Sequence, residues 1–409
     1  MRETPLRQRN RLRVVDALRR SGPATRAEIA REAGLSRATV SSLVAELLET
    51  GMLVERKADE EPSRGGPRAG RPPVLIALGA SAGAVLGVDF GHRHLRVAVA
   101  DLAARVRAER RVELDVDHDA AEGLDTAAAL VREVLEEAGI PRSAVLGCGM
   151  GLPGPIDRAT GTVGSTVILP GWLGLRAAEE LASRLELPVA VDNDANLGAL
   201  AELTYGVARG ALDLIYVKVA SGIGGGLVLN GRVHHGARGL AGELGHIPVE
   251  AGGRLCRCGN RGCLETLAAA PAVLALLRES AGRDLTLADV LEQAAAGDVG
   301  TRRVLGDGGR AIGRALADAC NLLNPELVVF GGELALAGEP LLDGVREALD
   351  RYALPAAVEA ARITTGVLGD RAEVLGALAL VIGDTENLRS EAITTVTTMT
   401  PQTIRGGST

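Results

Sequence analysis

Four apolar runs, each broken by glycine or an acid, constrain most of what this chain can fold into. "AVLGVDFGHRHLRVAVADL" reads as a strand, a glycine turn and a second strand. "AVLGCGMGLPGPID" and "PVAVDNDANLGALAEL" read as strands that open into polar loops, and "LIYVKVASGIGGGLVLNG" as a hairpin around glycines. Helical stretches such as "DTAAALVREVLEEAG" lie between them. Strands alternating with helices make an α/β body whose polar residues collect in strand-end loops. Only six of the 409 residues are Phe, Tyr or Trp. The core is therefore expected to be Leu, Val, Ile and Ala, and modules that read RNA by stacking bases on aromatics do not fit.

No apolar run approaches the roughly 18 residues of a membrane span. The N-terminus, "MRETPLRQRNRLRVVDALRR", has no apolar core of the signal-peptide kind. These features point to a soluble, cytoplasmic chain with no membrane partner. The formal charge of −7 is unevenly spread. Residues 1–75 hold 15 Lys/Arg and 10 Asp/Glu, a charge of +5, which leaves −12 on the remainder. A basic head on an acidic body implies that the head alone meets an anionic partner.

The head has the spacing of a helix-turn-helix. Leu12, Val15 and Leu18 line one helix that stops at Gly22. In "TRAEIAREAGLSRATVSSLVAELLETGML", Thr25 is placed as an N-cap with Glu28 at the capping-box position. Gly34 breaks the chain, and Ser36 caps a third helix with Val40, Leu43, Val44 and Leu47 on its apolar face. "GMLVERKA" would begin a β-wing. The N-terminal face of the third helix, with Ser36, Arg37, Thr39, Ser41 and Ser42, is where base edges would be read. The competing reading is a helical hairpin used for dimerisation.

Residues 1–57 are thus expected to form a winged helix-turn-helix domain, and 58–80 a Pro/Gly/Arg-rich linker. In that linker Arg64, Arg68 and Arg71 either enter a minor groove or merely solvate a tether. Residues 81–384 are the α/β body, and 385–409, without apolar periodicity, a disordered tail.

Three of the five cysteines fall within eight residues, in "GHIPVEAGGRLCRCGNRGCLE". His246, Cys256, Cys258 and Cys263 are a tetrahedral zinc set of the closed, structural type, with no open position to activate water. The glycines between them let a short chain wrap an ion. Cys148 and Cys320 lie in apolar contexts and read as core residues. Glu243 lies one helical turn before His246, and Glu265 two residues after Cys263. Fixing the ion therefore fixes two carboxylates, which is what a site gripping adjacent sugar hydroxyls needs.

In order along the chain, "GMGLPGPID", "VDNDANLGALAE", "SGIGGG", "GELGH", "CRCGNRGCLE" and "VVFGGELA" resemble the motifs of the ROK family of repressors and sugar kinases. The resemblance covers nearly the whole chain. It implies a two-lobed, actin-like body around a cleft, preceded in the regulator branch by a winged helix-turn-helix. It implies sugar binding by Asn193, Asp194, Glu243, His246 and Glu265, with Asp194 at the position of the kinases' general base. It also matches the zinc ligands to His246, Cys256, Cys258 and Cys263. Read without it, Asn193 and Asp194 are equally the cap of the helix "ANLGALAEL".

The first phosphate loop departs from the family's Asp-x-Gly-Gly-Thr-Lys. Here it is Asp89, Phe90, Gly91, His92, Arg93 and His94. Bulky His92 and Arg93 should obstruct the approach of backbone to phosphate, on which phosphoryl transfer depends. "SGIGGG" survives with Ser221 where threonine is usual. The expectation is therefore a non-enzymatic, sugar-responsive regulator, a repressor binding a palindromic operator in double-stranded DNA as a homodimer or homotetramer, with a monosaccharide effector and a structural Zn2+. The alternative is an active ATP-dependent sugar kinase with an appended DNA-binding domain.

Overall fold

The computed structural model describes residues 5–49, 51–57, 74–79, 83–158, 160–164 and 168–383. The head begins with α1 (Pro5–Ser21), followed by Gly22 at φ 70°. In α2 (Arg26–Ala33) the expected capping box is formed: the Thr25 side chain accepts from Glu28 N, and the Glu28 carboxylate accepts from Thr25 N at 2.8 Å. Gly34, at φ 60°, closes α2 in the left-handed region that glycine enters without strain. In α3 (Arg37–Glu49) Ser36 Oγ accepts from Thr39 N at 3.1 Å, and Val40, Leu43, Val44 and Leu47 are buried. β1 (Leu53–Lys57) pairs antiparallel with β2 (Val74–Leu78), Leu53 opposite Leu78.

That second strand corrects the expected boundary of the head. Residues 74–78 fall within the expected linker, yet they complete the wing. Leu75, Ile76, Ala77 and Leu78 are buried, and β2 packs against α1. Burying four apolar side chains outweighs the Pro- and Gly-rich flank on which the linker assignment rested. Residues 58–73, with Arg64, Arg68 and Arg71, lie outside the described residues, as does the expected tail.

The body contains two five-stranded sheets built to one plan. In the first, β3 (Ala84–Phe90), β4 (His94–Asp101) and β5 (Val106–Glu113) form an antiparallel meander. After α4 (Ala120–Ala138), β6 (Val145–Leu152) pairs parallel with β3. A small hairpin, β7 (Ile156–Asp157) with β8 (Thr162–Val163), and α5 (Ala177–Leu185) lead to β9 (Val189–Asn193), parallel to β6. The order is β5-β4-β3-β6-β9.

α6 (Asp194–Tyr205) then passes to the second sheet. There β10 (Leu214–Val219), β11 (Ile223–Leu229) and β12 (Arg232–Val233) repeat the meander. Helices α7 (Glu265–Ala268), α8 (Ala270–Ala281), α9 (Leu287–Ala295) and α10 (Val299–Leu323) follow. Then β13 (Leu327–Gly331) pairs parallel with β10, and α11 (Glu339–Tyr352) and α12 (Pro355–Ala360) lead to β14 (Arg362–Thr365). The order β12-β11-β10-β13-β14 repeats that of the first sheet.

Each lobe has its own aliphatic core. Trp172 packs edge-to-face on Phe90 at 5.1 Å, and its indole N–H donates to Val116 O at 2.8 Å. The last described helix, 372–383, is seated on glycines. A Cβ at Gly87 or Gly149 would collide with the Val374 or Ala377 carbonyl, and one at Gly376 with the Leu197 carbonyl. The helix therefore lies directly on β3 and β6 and crosses α6 backbone to backbone. Its Val374, Leu378, Val381 and Ile382 belong to one apolar cluster with Leu53, Ile76 and Leu78 of the wing.

Candidate functional site

The C-terminal ends of both central parallel strands face a cleft of about 260 Å³. Asn193, Asp194, Glu243, His246 and Glu265 all line it, as do His92, Arg93, His94 and the "SGIGGG" loop. Five residues drawn from three motifs thus meet in one cavity.

Asn193 and Asp194 sit where β9 becomes α6. Asn193 is the N-cap of α6: Oδ1 accepts from Ala195 N, and Nδ2 donates to Gly154 O at 3.0 Å. Asp194 Oδ1 accepts from Ala195 N at 2.8 Å, and its Oδ2 lies 2.9 Å from Lys218 Nζ. Capping and cleft placement are therefore the same geometry, not alternatives. Behind them Asp192 accepts from Asn196 Nδ2 at 2.9 Å and meets His235 Nε2 at 2.6 Å.

Glu243 precedes a 3₁₀ turn at Leu244–His246. Its Oε2 lies 3.8 Å from His246 Nε2. Burial pushes the Glu243 carboxyl up; the neighbouring His246 opposes this, and Asp194 adds to it. Glu265 opens α7. Burial would raise its carboxyl, but Arg257 and the Cys256 thiol outweigh burial and hold it below the usual range. Arg257 grips it with two hydrogen bonds, Nε to Oε1 at 3.2 Å and Nη2 to Oε2 at 3.0 Å. Arg257 was not singled out from the sequence. Its position between two metal-type cysteines was the available signal, since a loop that tight must aim the intervening side chain.

His246, Cys256, Cys258 and Cys263 can hold a metal ion: their donor atoms all lie within 4.8 Å of one another. Cys258 and Cys263 sulfurs are 3.7 Å apart, and Cys256 Sγ is 3.6 Å from His246 Nδ1. A tetrahedron with Zn–S of about 2.3 Å has an S–S edge of about 3.8 Å, so the donor set has the right size. Nδ1 faces Cys256 Sγ and, at 3.6 Å, Glu265 Oε1, while Nε2 faces Glu243. Burial pushes the Cys256 and Cys263 thiols up, while the Asn260 N–H holds Cys258 down. A cation at this point would reverse the two upward shifts. Cys148 and Cys320 are buried and free, as expected.

The departures in the first phosphate loop are held in place. His94 Nε2 is 3.0 Å from Asp89 Oδ2, and His92 Nδ1 is 2.7 Å from Asp117 Oδ1. A Cβ at Gly91 would collide with the His94 ring, so the ring covers that backbone. On the head, Ser36, Arg37, Ser41 and Ser42 are exposed along the start of α3. Thr39 is half-buried, and its hydroxyl is 2.8 Å from Ser36 Oγ within the cap.

A winged helix-turn-helix followed by two lobes of repeated topology around a polar cleft defines a protein of the actin-like, sugar-kinase type with a DNA-binding-type head. The chain belongs to the ROK family, whose model matches residues 85–384, and a MarR family model matches residues 7–65. It is 30% identical over 394 residues to a putative xylose repressor of Caldicellulosiruptor sp., covering 93% of this chain and 96% of that one. It is also 30% identical to the transcriptional dual regulator NagC of Escherichia coli, covering 92% and 93%. Among solved structures, a ROK transcriptional regulator homologous to the E. coli MLC protein superposes with a TM-score of 0.75 at 27% identity, covering 92% of this chain and 96% of that chain. A ROK glucokinase of Streptomyces griseus, in complex with glucose and AMPPNP, gives 0.63 at 28%, covering 73% and 99%. Among the described residues no helix is long and apolar enough to cross a membrane.

Proposed function

We propose that the chain is a sugar-responsive transcriptional regulator, a repressor, that binds a monosaccharide without phosphorylating it efficiently. The observation that carries this reading is the convergence of Asp194, Glu243 and Glu265 on one cleft, beside a His/Cys3 loop that fixes two of them. Carboxylates accept hydrogen bonds from adjacent hydroxyls, and rigid placement of several sets which sugar fits. Similarity over more than nine-tenths of the chain to a putative xylose repressor and to a transcriptional dual regulator supports the regulatory role.

In this reading His246, Cys256, Cys258 and Cys263 hold a structural Zn2+, which when bound braces the loop carrying Arg257 and the start of α7. His246 presents its other nitrogen to the cleft. Asp194 accepts from a sugar hydroxyl. Asn193, whose amide is engaged in the cap, holds the turn that aims Asp194. Ser36, Arg37, Thr39, Ser41 and Ser42 lie where a recognition helix reads base edges in double-stranded operator DNA, and Arg71 belongs to a stretch that reaches a minor groove. The head acts as part of a homodimer or homotetramer, because operators of this type offer two half-sites about one helical turn apart. Sugar shifts the population of lobe arrangements, and with it the presentation of the heads.

The test is selection of duplexes from a random DNA pool by the purified full-length chain, repeated with each of a panel of monosaccharides. Sugar-dependent change in the recovered DNA, lost in Asp194→Ala, is the expected result. Sugar-dependent ATP consumption that Asp194→Asn abolishes would replace this reading with the kinase one.

A further inference from the structure

The cleft floor carries one cation among its acids that no motif contains. Lys218 stands within β10, with Nζ 2.9 Å from Asp194 Oδ2 and 2.7 Å from Glu373 Oε1. The two acids open two different helices. Asp194 begins α6, and Glu373 lies in the first turn of helix 372–383. Both occupy positions where aligned amide dipoles favour negative charge. α6 packs on β10 and β11 of the second sheet. Helix 372–383 lies on Gly87 and Gly149 of the first sheet, and the two helices touch where Gly376 meets the Leu197 carbonyl. One ammonium therefore ties together two crossing helices, one carried by each lobe.

The cluster is built rather than incidental. Glu373 is 6% exposed, and burial pushes its carboxyl up against the opposing pull of Lys218. Burial would drive Lys218 down, yet Asp194 and Glu373 outweigh it and hold the ammonium well above the ordinary lysine value. Removing one partner of such a group leaves an uncompensated buried charge.

We propose that Lys218 is a positioning residue of the effector site, which aims the Asp194 carboxylate into the cleft and makes capture at Asp194 felt by helix 372–383 through Glu373. The inference rests on the proposed role of Asp194 as acceptor for the effector. Asp194 Oδ1 is engaged by Ala195 N–H and Oδ2 by Lys218. A hydroxyl donating to Asp194 draws on the same negative charge that holds the ammonium, so the share left for Glu373 changes in step. Helix 372–383 passes that change to the apolar cluster it shares with the wing.

Hydrogen–deuterium exchange on the full chain without sugar, for wild type, Lys218→Met, Lys218→Arg and Glu373→Gln, tests the tie directly. Lys218→Met should speed exchange in the first turns of both α6 and helix 372–383 by roughly tenfold or more, with Lys218→Arg largely rescuing both. Faster exchange confined to β10 and its neighbouring strands would overturn the proposal, because that is what a merely structural lysine gives. If Lys218→Met does not fold, Glu373→Gln decides: it should loosen the start of α6, which it reaches through Lys218, and unchanged protection there refutes the tie. Thermal shifts with D-xylose, D-glucose and N-acetyl-D-glucosamine then test the effector role. A sugar bound by wild type should bind roughly ten- to a hundredfold more weakly to Lys218→Met, the worth of a hydrogen bond to a charged group; full affinity refutes the role. If wild type answers none of the three, the sugar reading falls, while the exchange data still decide whether Lys218 couples the helices.

Discussion

Replacing Cys263 by serine should melt the metal loop without unfolding the lobes. Residues 247–264 form an 18-residue excursion that reaches the second-lobe core only at its ends, through Ile247, Val249 and Leu264, and Leu255 is 65% exposed. Fixing its backbone costs about 18 kcal/mol at about 1 kcal/mol per residue. Seven backbone hydrogen bonds close within it, among them Val249 N to Gly262 O at 2.9 Å and Leu264 N to Ile247 O at 2.9 Å. At about 1 kcal/mol net each they return about 7 kcal/mol. The remaining deficit of about 11 kcal/mol lies within the roughly 10–16 kcal/mol that a structural zinc contributes. Cys263 is fully buried and 3.7 Å from Cys258, so serine, shorter and harder, removes a ligand from the middle of the set. Exchange of the Val249, Cys256, Gly262 and Leu264 amides should rise to that of an unstructured loop, and, on the proposal that the set holds one Zn2+, metal content should fall well below that of wild type. The cores of both lobes should keep their protection. Retained protection of those amides in metal-free protein would refute the reasoning.

Other perturbations probe other parts of the molecule. Gly149→Ala places a methyl against the Ala377 carbonyl and should destabilise the first lobe by about 1–3 kcal/mol, read as a lowered denaturant midpoint. Thr25→Ala breaks the capping box and should lower the stability of the head by about 1 kcal/mol, read as faster amide exchange in α2. Because Lys218 is held above the ordinary lysine value of 10.5, the stability it adds is complete below that pH. It is lost as pH climbs through the folded value, so wild type should weaken more steeply on alkaline titration than Lys218→Met, in which the buried Tyr216 and Cys148, also held up by burial, still contribute to the fall. Arg257→Ala strips the cation from Glu265, whose carboxyl should rise from its depressed value; a ¹³C titration of that side chain measures the change.

The local elements were legible because their signals are local. Thr25 and Glu28, Gly34 and Ser36 act on backbone groups within four residues, so α2 and α3 follow directly from spacing; α1 instead buries Val14 and Ala17 with Leu18, and leaves the expected Val15 only half-buried. The cleft residues were legible through motif resemblance, and Asn193 and Asp194 show that a cap and a place in the cleft need not compete. The second wing strand was missed because Val74–Leu78 sits beside prolines and glycines, and only its partner Leu53–Lys57, some twenty residues earlier, identifies it. Strand order, too, depends on pairings such as β10 with β13, which no local pattern records. Lys218 was overlooked although it is one of only two lysines and stands inside the apolar run "LIYVKVA". A charge in a buried strand signals a partner, but Glu373 lies 155 residues away along the chain and is brought near only by the fold.

The chain's single tryptophan has a practical consequence. Trp172 is wholly enclosed, rests on Phe90, and Phe90 is followed directly by the loop of Gly91 to His94 at the cleft mouth. Excited at the red edge of its absorption, where the three tyrosines do not absorb, the molecule therefore emits from one indole in one environment. Its wavelength and quenching report on the packing behind that loop, undiluted by the other lobe or the head.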